Sequence, residues 1–302
     1  MQKVLICVAL LLINVIHTAV KKDSILQLMN NPTIKHSSDQ KKLPLAHAKK
    51  VVIAPWSGGF FAGFIVVLNH LGWCKQHNKI PIVHWGKGSL YYQKEEFNGN
   101  STNAWEYYFE PVSNTTYNDN DYKSFKFSLG DPNLHYKILD QYSRNLAYEL
   151  ICQYIKIKPC VQKKIDDFYQ QNMAHRRTIG IHLRGTDKIT EEKLVTPEKI
   201  VAIALAQADP DTQFLISSDE QRLLEIMTSL LKGYDVIYYN CQRSTNGKPL
   251  HLKSQHPAQG GEDVLVEVSL LAKCDLLVHS LSNVSTAALY FNPKMEHIGV
   301  EA

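Results

Sequence analysis

Several signatures are missing from this 302-residue chain, and each absence removes a class of chemistry. No cysteines pair as CxxC and none stands at zinc-type spacing from histidine, which argues against a structural metal. The GxGxxG turn of dinucleotide folds and the GK[S/T] ending of a P-loop are absent, as are the GxSxG elbow and the HExxH helix. A hydrolase or an oxidoreductase therefore fits poorly. An excess of one charge is also lacking, because 33 Lys and Arg against 29 Asp and Glu leave a net +4. The basic residues are scattered among acids, with no basic stripe interleaved with aromatics, so nucleic acid is not an expected partner. The mild positive balance suits a small anionic substrate. Beyond residue 20 no apolar run approaches the roughly 20 residues that a spanning helix needs.

What is present begins with an export signal. Met1-Gln-Lys3 is a short basic start, Val4 to Ile16 is apolar except for Asn14, and Thr18-Ala19 offers a small residue for cleavage. Residues 1–19 read as a secretory signal peptide, with an uncleaved anchor reaching Val20 as the alternative. A membrane is a partner only in the second case. The expected destination is the secretory pathway, the periplasm or the extracellular space. Export permits disulfides, and Cys152 with Cys160 is a candidate local pair, although five cysteines after Cys7 leave an odd thiol. Asn100, Asn114 and Asn283 begin glycosylation acceptor triplets.

Residues 20–49 are polar and read as a leader or linker. Val51–Ala54 then reads as a buried strand, followed by the turn Pro55-Trp-Ser-Gly-Gly-Phe60 and a helix from about Phe61 to Gln76. A strand, a Gly-rich turn and a helix is a geometry in which backbone N–H groups hold a phosphate, which makes Gly58 and Gly59 candidates for anion contact. The plainer reading is steric, since a Gly pair suits any tight turn. Ile80–Trp85 is a second parallel strand. Residues 86–131 form a long irregular stretch rich in Tyr and Trp, and two readings stand for it: exposed rings that stack on sugars, or an insertion whose aromatics are buried. Helices are expected over Leu139–Ile157 and Cys160–Asn172.

From Arg177 the pattern becomes regular. Strands are expected at Thr178–Leu183, Gln213–Ser217, Asp235–Tyr239, Asp275–His279 and Met295–Val300. Helices lie between them: one capped by Thr196 with Pro197 at its first position, then Asp219–Lys232 ending at Gly233, Glu262–Lys273 and Ala287–Phe291. Alternation at these lengths predicts an α/β fold with a doubly wound parallel sheet. Thr178–Lys188 is the segment of most interest. It starts as a buried strand and switches at once to His182, Arg184, Thr186, Asp187 and Lys188, the form in which open α/β sheets present a ligand site beyond their strand ends.

Three segments together resemble one family. Ile181-His-Leu-Arg-Gly-Thr-Asp-Lys188 resembles the HxRxTDK strand-loop of the α-1,6-fucosyltransferases, including the nodulation-type bacterial enzymes. Phe214–Glu220 resembles their second motif and Glu267–Ser285 their third, in matching order and spacing. The Gly-rich turn near Ser57 and the His84-Trp85 strand resemble the N-terminal half more loosely. The resemblance implies a GT-B fold, with two Rossmann-like doubly wound domains facing a cleft: an acceptor-side domain at 50–173 and a donor-nucleotide domain at 174–302. It implies GDP-fucose as donor substrate, a glycan or glycoconjugate as acceptor, inversion, and no metal or other cofactor.

Residue by residue, the resemblance places Arg184 on the donor diphosphate and His182 beside the nucleotide. Asp187, Ser218 and Asp219 fall in the motifs that line the donor. Ser282 and Asn283 stand where the family has a Ser-Ser pair, at a helix start whose N–H groups favour phosphates. Glu267 stands where the family places an Asp on the guanine edge, and a carboxylate there accepts from both guanine N–H donors. Lys188 and Glu192, with Glu191 adjacent, fall in the region proposed for the catalytic base; a charged, solvated loop is the plainer reading of Glu191-Glu-Lys193. Gly185 departs from the pattern, because the family commonly has a second Arg there. Two rival readings remain: a metal-dependent transferase using Asp119-Asn-Asp121, and a non-catalytic carbohydrate-binding protein on the same fold, which the aromatic stretch and Gly185 keep open. Another nucleotide-sugar donor is a further variant.

Overall fold

The computed structural model describes residues 49–100, 102–118, 122–124, 134–185, 195–249 and 256–302. Two all-parallel sheets organise them. The first half contains β1 (Lys50–Ile53), α1 (Phe60–Gln76), β2 (Ile80–Val83), a 3₁₀ turn at Ala104–Tyr107 and β3 (Tyr122–Ser124). Its three strands lie in the order β2-β1-β3. α2 (Gln141–Tyr154) and α3 (Pro159–Asn172) follow. The second half alternates regularly: β4 (Thr178–His182), α4 (Pro197–Leu205), β5 (Gln213–Ser217), α5 (Gln221–Leu230), β6 (Asp235–Ile237), α6 (Pro257–Leu271), β7 (Leu276–Ser280), α7 (Asn283–Phe291) and β8 (Glu296–Val300). Its sheet runs β6-β5-β4-β7-β8. The chain winds outward from β4 to β6, then crosses back to start β7 on the other side of β4. That reversal is a topological switch point between β4 and β7, where open sheets leave a crevice at their carboxyl ends.

The local chemistry explains the second sheet well. Every residue of β4, β5 and β7 is buried, as expected for strands covered by helices on both faces. Thr196 caps α4 by accepting from the Lys199 amide at 3.2 Å, with Pro197 at the first position. α5 stops near Gly233, whose φ of +105° is open to glycine at no steric cost. β3 is a strand the sequence pattern does not reveal, since it lies inside the aromatic and polar stretch.

α6 begins five residues earlier than expected, at Pro257, and so contains Gly260 and Gly261. The reason is packing. A Cβ on Gly261 would lie well inside van der Waals contact of the Tyr108 hydroxyl and 2.6 Å from its Cζ. Tyr108 is fully buried and donates to the Ala258 carbonyl at 2.9 Å, so it lies across the bare first turns of α6. Gly261→Ala is expected to lower Tm by about 3–6 °C, because overpacking costs roughly 1–3 kcal/mol. A thermal melt of the variant checks this, and an unchanged Tm contradicts the close packing.

For the aromatic stretch the structure decides between the two open readings in favour of burial. Trp105, Tyr107, Tyr108 and Phe109 are wholly buried and Tyr91 nearly so. Tyr108, Tyr91 and Trp85 meet Phe60 at the start of α1 with ring centroids 5.0 Å, 5.2 Å and 5.8 Å away, all edge-on. Edge-to-face contact is a favourable aromatic geometry, and rings spent on a core cannot stack on sugar. The lectin-like reading loses that support.

The same core continues into the helices of the second half. Phe64 of α1 stacks on Phe291 of α7 at 5.6 Å. α2 reaches the turn joining α7 to β8, through Gln141 to the Pro293 carbonyl and Arg144 to the Met295 carbonyl at 2.7 Å. Lys164 of α3 pairs with Glu262 of α6, whose side chain is fully buried. The expected boundary at 173/174 falls in the turn joining α3 to β4, although α2 and α3 pack on elements that follow it. Cys152 and Cys160 are exposed free thiols, so the local disulfide is not formed. No helix among the described residues is long and apolar enough to cross a membrane.

Candidate active site

The crevice at the switch point is built by the ends of β4, β5 and β7. β4 keeps its ladder one residue beyond the strand, with the Leu183 amide donating to the Ser217 carbonyl at 3.1 Å. The backbone then turns out, and the next two amides find side-chain partners. Arg184 N–H donates to Ser280 Oγ on β7 at 3.1 Å, and Gly185 N–H donates to Asp219 Oδ1 after β5 at 2.8 Å. The loop that carries Arg184 is thus held from both neighbouring strands.

His182 is buried between them. One ring nitrogen faces Ser282 Oγ at 2.9 Å and the other faces Ser217 Oγ at 3.4 Å. Ser282 is the N-cap of α7. Its hydroxyl accepts from the Ser285 amide at 3.1 Å, and the Ser285 hydroxyl takes the Ser282 amide in return, a capping box with serine in both places. The sequence reading began this helix four residues later, at Ala287. The early start brings the Asn283 and Val284 amides to the first two helical positions, where no intrahelical acceptor exists. The helix's own first turn carries no acid to offset the positive end of its dipole. Ser285, the last residue of the Asn283 acceptor triplet, is fully buried within this cap.

α1 contributes a second helix start. Gly59 is its N-cap and supplies no side-chain oxygen, and here too the first turn contains no acid. The Tyr91 phenol links this start to the crevice. Burial pushes its pKa up, while the Phe60 amide bonded to the oxygen and the Arg184 guanidinium nearby oppose that rise. A half-buried guanidinium and helix starts whose own first turns carry no acid are each groups that can hold a phosphate.

The remaining expected residues fall in two groups. Ser218 and Asp219 lie at the β5 exit, Ser218 buried and Asp219 half-buried. Glu267 lies on α6 and is nearly buried. Its Oε1 accepts from Arg243 at 3.0 Å, and the Cys241 thiol is hydrogen-bonded to the same carboxylate. Burial pushes the Glu267 carboxyl up to about 7, opposed by Arg243. Asp187, Lys188, Glu191 and Glu192 lie outside the described residues, as does the Asp119-Asn-Asp121 triplet. Among the described residues no group of three His, Cys, Asp or Glu is arranged to hold a metal ion.

Sequence reasoning missed three contributors. Ser280 stood in the third motif without a role. Tyr91 was one aromatic among many, and only its approach to Arg184 singles it out. Arg243 lies in a loop rich in polar residues, with no local signal of its burial.

Two parallel sheets alternating with helices give this chain the GT-B architecture. Solved structures share it. The NodZ alpha-1,6-fucosyltransferase soaked with GDP-fucose superposes with a TM-score of 0.53 at 17% identity, covering 81% of this chain and 93% of that one. The fucosyltransferase NodZ from Bradyrhizobium gives 0.52 at 16%, covering 80% and 92%. A mutant of Arabidopsis thaliana FUT1 in complex with GDP gives 0.51 at 12%, covering 92% and 74%. No family model and no curated protein matches the sequence.

Proposed function

We propose that this chain is a fucosyltransferase that moves fucose from GDP-fucose to a hydroxyl of a glycan or glycoconjugate, with inversion and without a metal. One observation carries the reading: Arg184 leaves the end of β4 at the switch point, where its amide is bonded to Ser280 Oγ and the next amide to Asp219 Oδ1. Solved structures with the same fold were obtained with GDP-fucose and with GDP. In such a transfer the bond from the anomeric carbon to the diphosphate oxygen breaks as the acceptor hydroxyl attacks from the opposite face. Positive charge develops on the sugar and negative charge on the departing GDP. The Arg184 guanidinium and the α7 amides at Asn283 and Val284 are suited to that departing charge, and Gly58 and Gly59 would approach it from the other side. His182 and Ser282 fix the wall against which the nucleotide lies. Glu267 would accept from the guanine N–H groups, with Ser218 and Asp219 completing that side. Glu192 takes the hydroxyl proton in this reading, and Lys188 is the second candidate of that stretch for a catalytic part. In this reading residues 50–173 serve the acceptor and residues 174–302 the donor, and residues 1–19 direct export.

The test is calorimetric titration of the protein with GDP, UDP and ADP, followed by assays of GDP-fucose hydrolysis and transfer. GDP is expected to bind at least about tenfold tighter than the other two, since unmatched buried donors and acceptors cost roughly 1–3 kcal/mol. Equal binding of all three sinks the donor assignment; GDP binding without turnover supports a non-catalytic protein on the same fold. Glu267 accepts two N–H donors only when ionised, so GDP affinity should rise as pH climbs through about 7. The Glu267→Gln variant should show no such rise.

A further inference from the structure

Arg243 has entered so far only as the partner of Glu267, yet four hydrogen bonds engage its guanidinium. Its side chain is 3% exposed. Nε donates to the Ser218 carbonyl at 3.2 Å, Nη1 to the Cys241 carbonyl at 3.2 Å, and Nη2 to both the Tyr239 carbonyl at 2.8 Å and Glu267 Oε1 at 3.0 Å. One planar fork therefore gathers the exit of β5, the loop after β6 and the middle of α6. Ser244, the next residue, docks on the same turn. Its amide donates to the Asp219 carbonyl at 2.9 Å and its carbonyl accepts from the Gln221 amide at 2.9 Å. Asp219 in turn holds the Gly185 amide beside Arg184. A continuous path of direct bonds thus runs from the Glu267 carboxylate to the loop that carries Arg184.

We infer that Arg243 is a positioning residue for donor selectivity: it keeps the Glu267 carboxylate aimed at the base and ties it to the turn that sets the diphosphate loop. The inference rests on the donor reading above and adds to it the residue through which base recognition and diphosphate recognition are coupled. A lone carboxylate at Glu267 would be free to rotate and would take up a proton as its burial demands. The fork of Arg243 opposes both, because it supplies a fixed cation on Oε1 of a carboxylate that also takes the Cys241 thiol. Lysine cannot reproduce this. It offers a charge for Glu267 but no planar set of donors for the Ser218, Tyr239 and Cys241 carbonyls.

The experiment compares GDP, inosine diphosphate and ADP by titration on the wild-type chain and on Arg243→Met and Arg243→Lys, with a thermal melt of each. The wild type should favour GDP over both. Arg243→Met should weaken GDP by about tenfold or more and ADP by less than about threefold, so that selectivity collapses. Arg243→Lys should recover an intermediate GDP-to-ADP ratio. A parallel fall for all three nucleotides, or an unchanged ratio, makes Arg243 a structural residue only and overturns the inference. If Arg243→Met does not fold, Arg243→Lys decides the matter by the same ratio, with a smaller loss of selectivity expected. If the wild type itself shows no preference for GDP, the donor reading fails and this inference with it. If the wild type prefers GDP and both variants keep that preference, only the inference fails.

Discussion

Replacing Arg184 with alanine should reduce transfer from GDP-fucose by about 10²- to 10³-fold, the usual result of removing one preorganised donor from developing transition-state charge. The loss should fall on kcat/KM, with GDP affinity also reduced, because product GDP keeps the diphosphate charge that the guanidinium meets. The fold should survive. Arg184 is half-buried and its main-chain bond to Ser280 Oγ is unaffected by the substitution, so Tm should shift little. Arg184→Lys is the informative companion, since it keeps a charge but loses the planar fork, and it should recover only part of the lost rate. Steady-state kinetics with GDP-fucose and a melting curve on each variant check these outcomes. A loss below about threefold for Arg184→Ala would falsify its assignment to the diphosphate.

The second large effect concerns the residue after it. Gly185 stands where the resembling family commonly carries a second arginine, and restoring that arginine should harm the protein. A Cβ at this position would sit 2.5 Å from Glu220 Oε2 and 2.7 Å from Leu223 Cδ1. The glutamate tip can swing away, but Leu223 packs against the core on α5 and cannot move as freely. Gly185→Arg is therefore expected to lower Tm by about 4–8 °C, from an overpacking cost of roughly 2 kcal/mol, and to bring no gain in GDP affinity. Removing the obstacle at the same time, as Gly185→Arg with Leu223→Ala, should return part of the lost stability if the clash is the cause. A single variant that melts like the wild type and binds GDP more tightly would show that the missing arginine was a simple loss. The crowding against α5 suggests instead that the glycine and the helix start are matched to each other.

Much of the second half could be read before any coordinates. β5 at Gln213–Ser217 and the Thr196 cap with Pro197 follow directly from period, capping chemistry and proline placement, because each depends on residues close in sequence. The position of Arg184 at a strand end was legible for the same reason. The failures share a different cause. Gly260 and Gly261 read as loop because glycine disfavours helices, and only the approach of Tyr108, more than 150 residues earlier in the chain, explains why they are helical. The aromatic stretch left sugar stacking and burial both open, because alternation in sequence cannot tell an exposed ring from one closed over by α1 and α6. Arg243 offered no signal at all, since a charged residue in a polar loop reads as solvated until its carbonyl partners are brought to it.

The sequence by itself thus determined the succession of strands and helices and the polar strand end that carries Arg184, since those are set by local periodicity and turn chemistry. Tertiary structure alone decided which charges face one another. The crossing from β6 back to β7 opens the crevice beside β4, α7 begins early on a pair of serines to present its amides there, and Arg243 closes on Glu267 from a loop that no local pattern marks. Those are long-range choices, fixed by packing that satisfies buried polar groups together, and they turn a polar strand exit into one wall of a site.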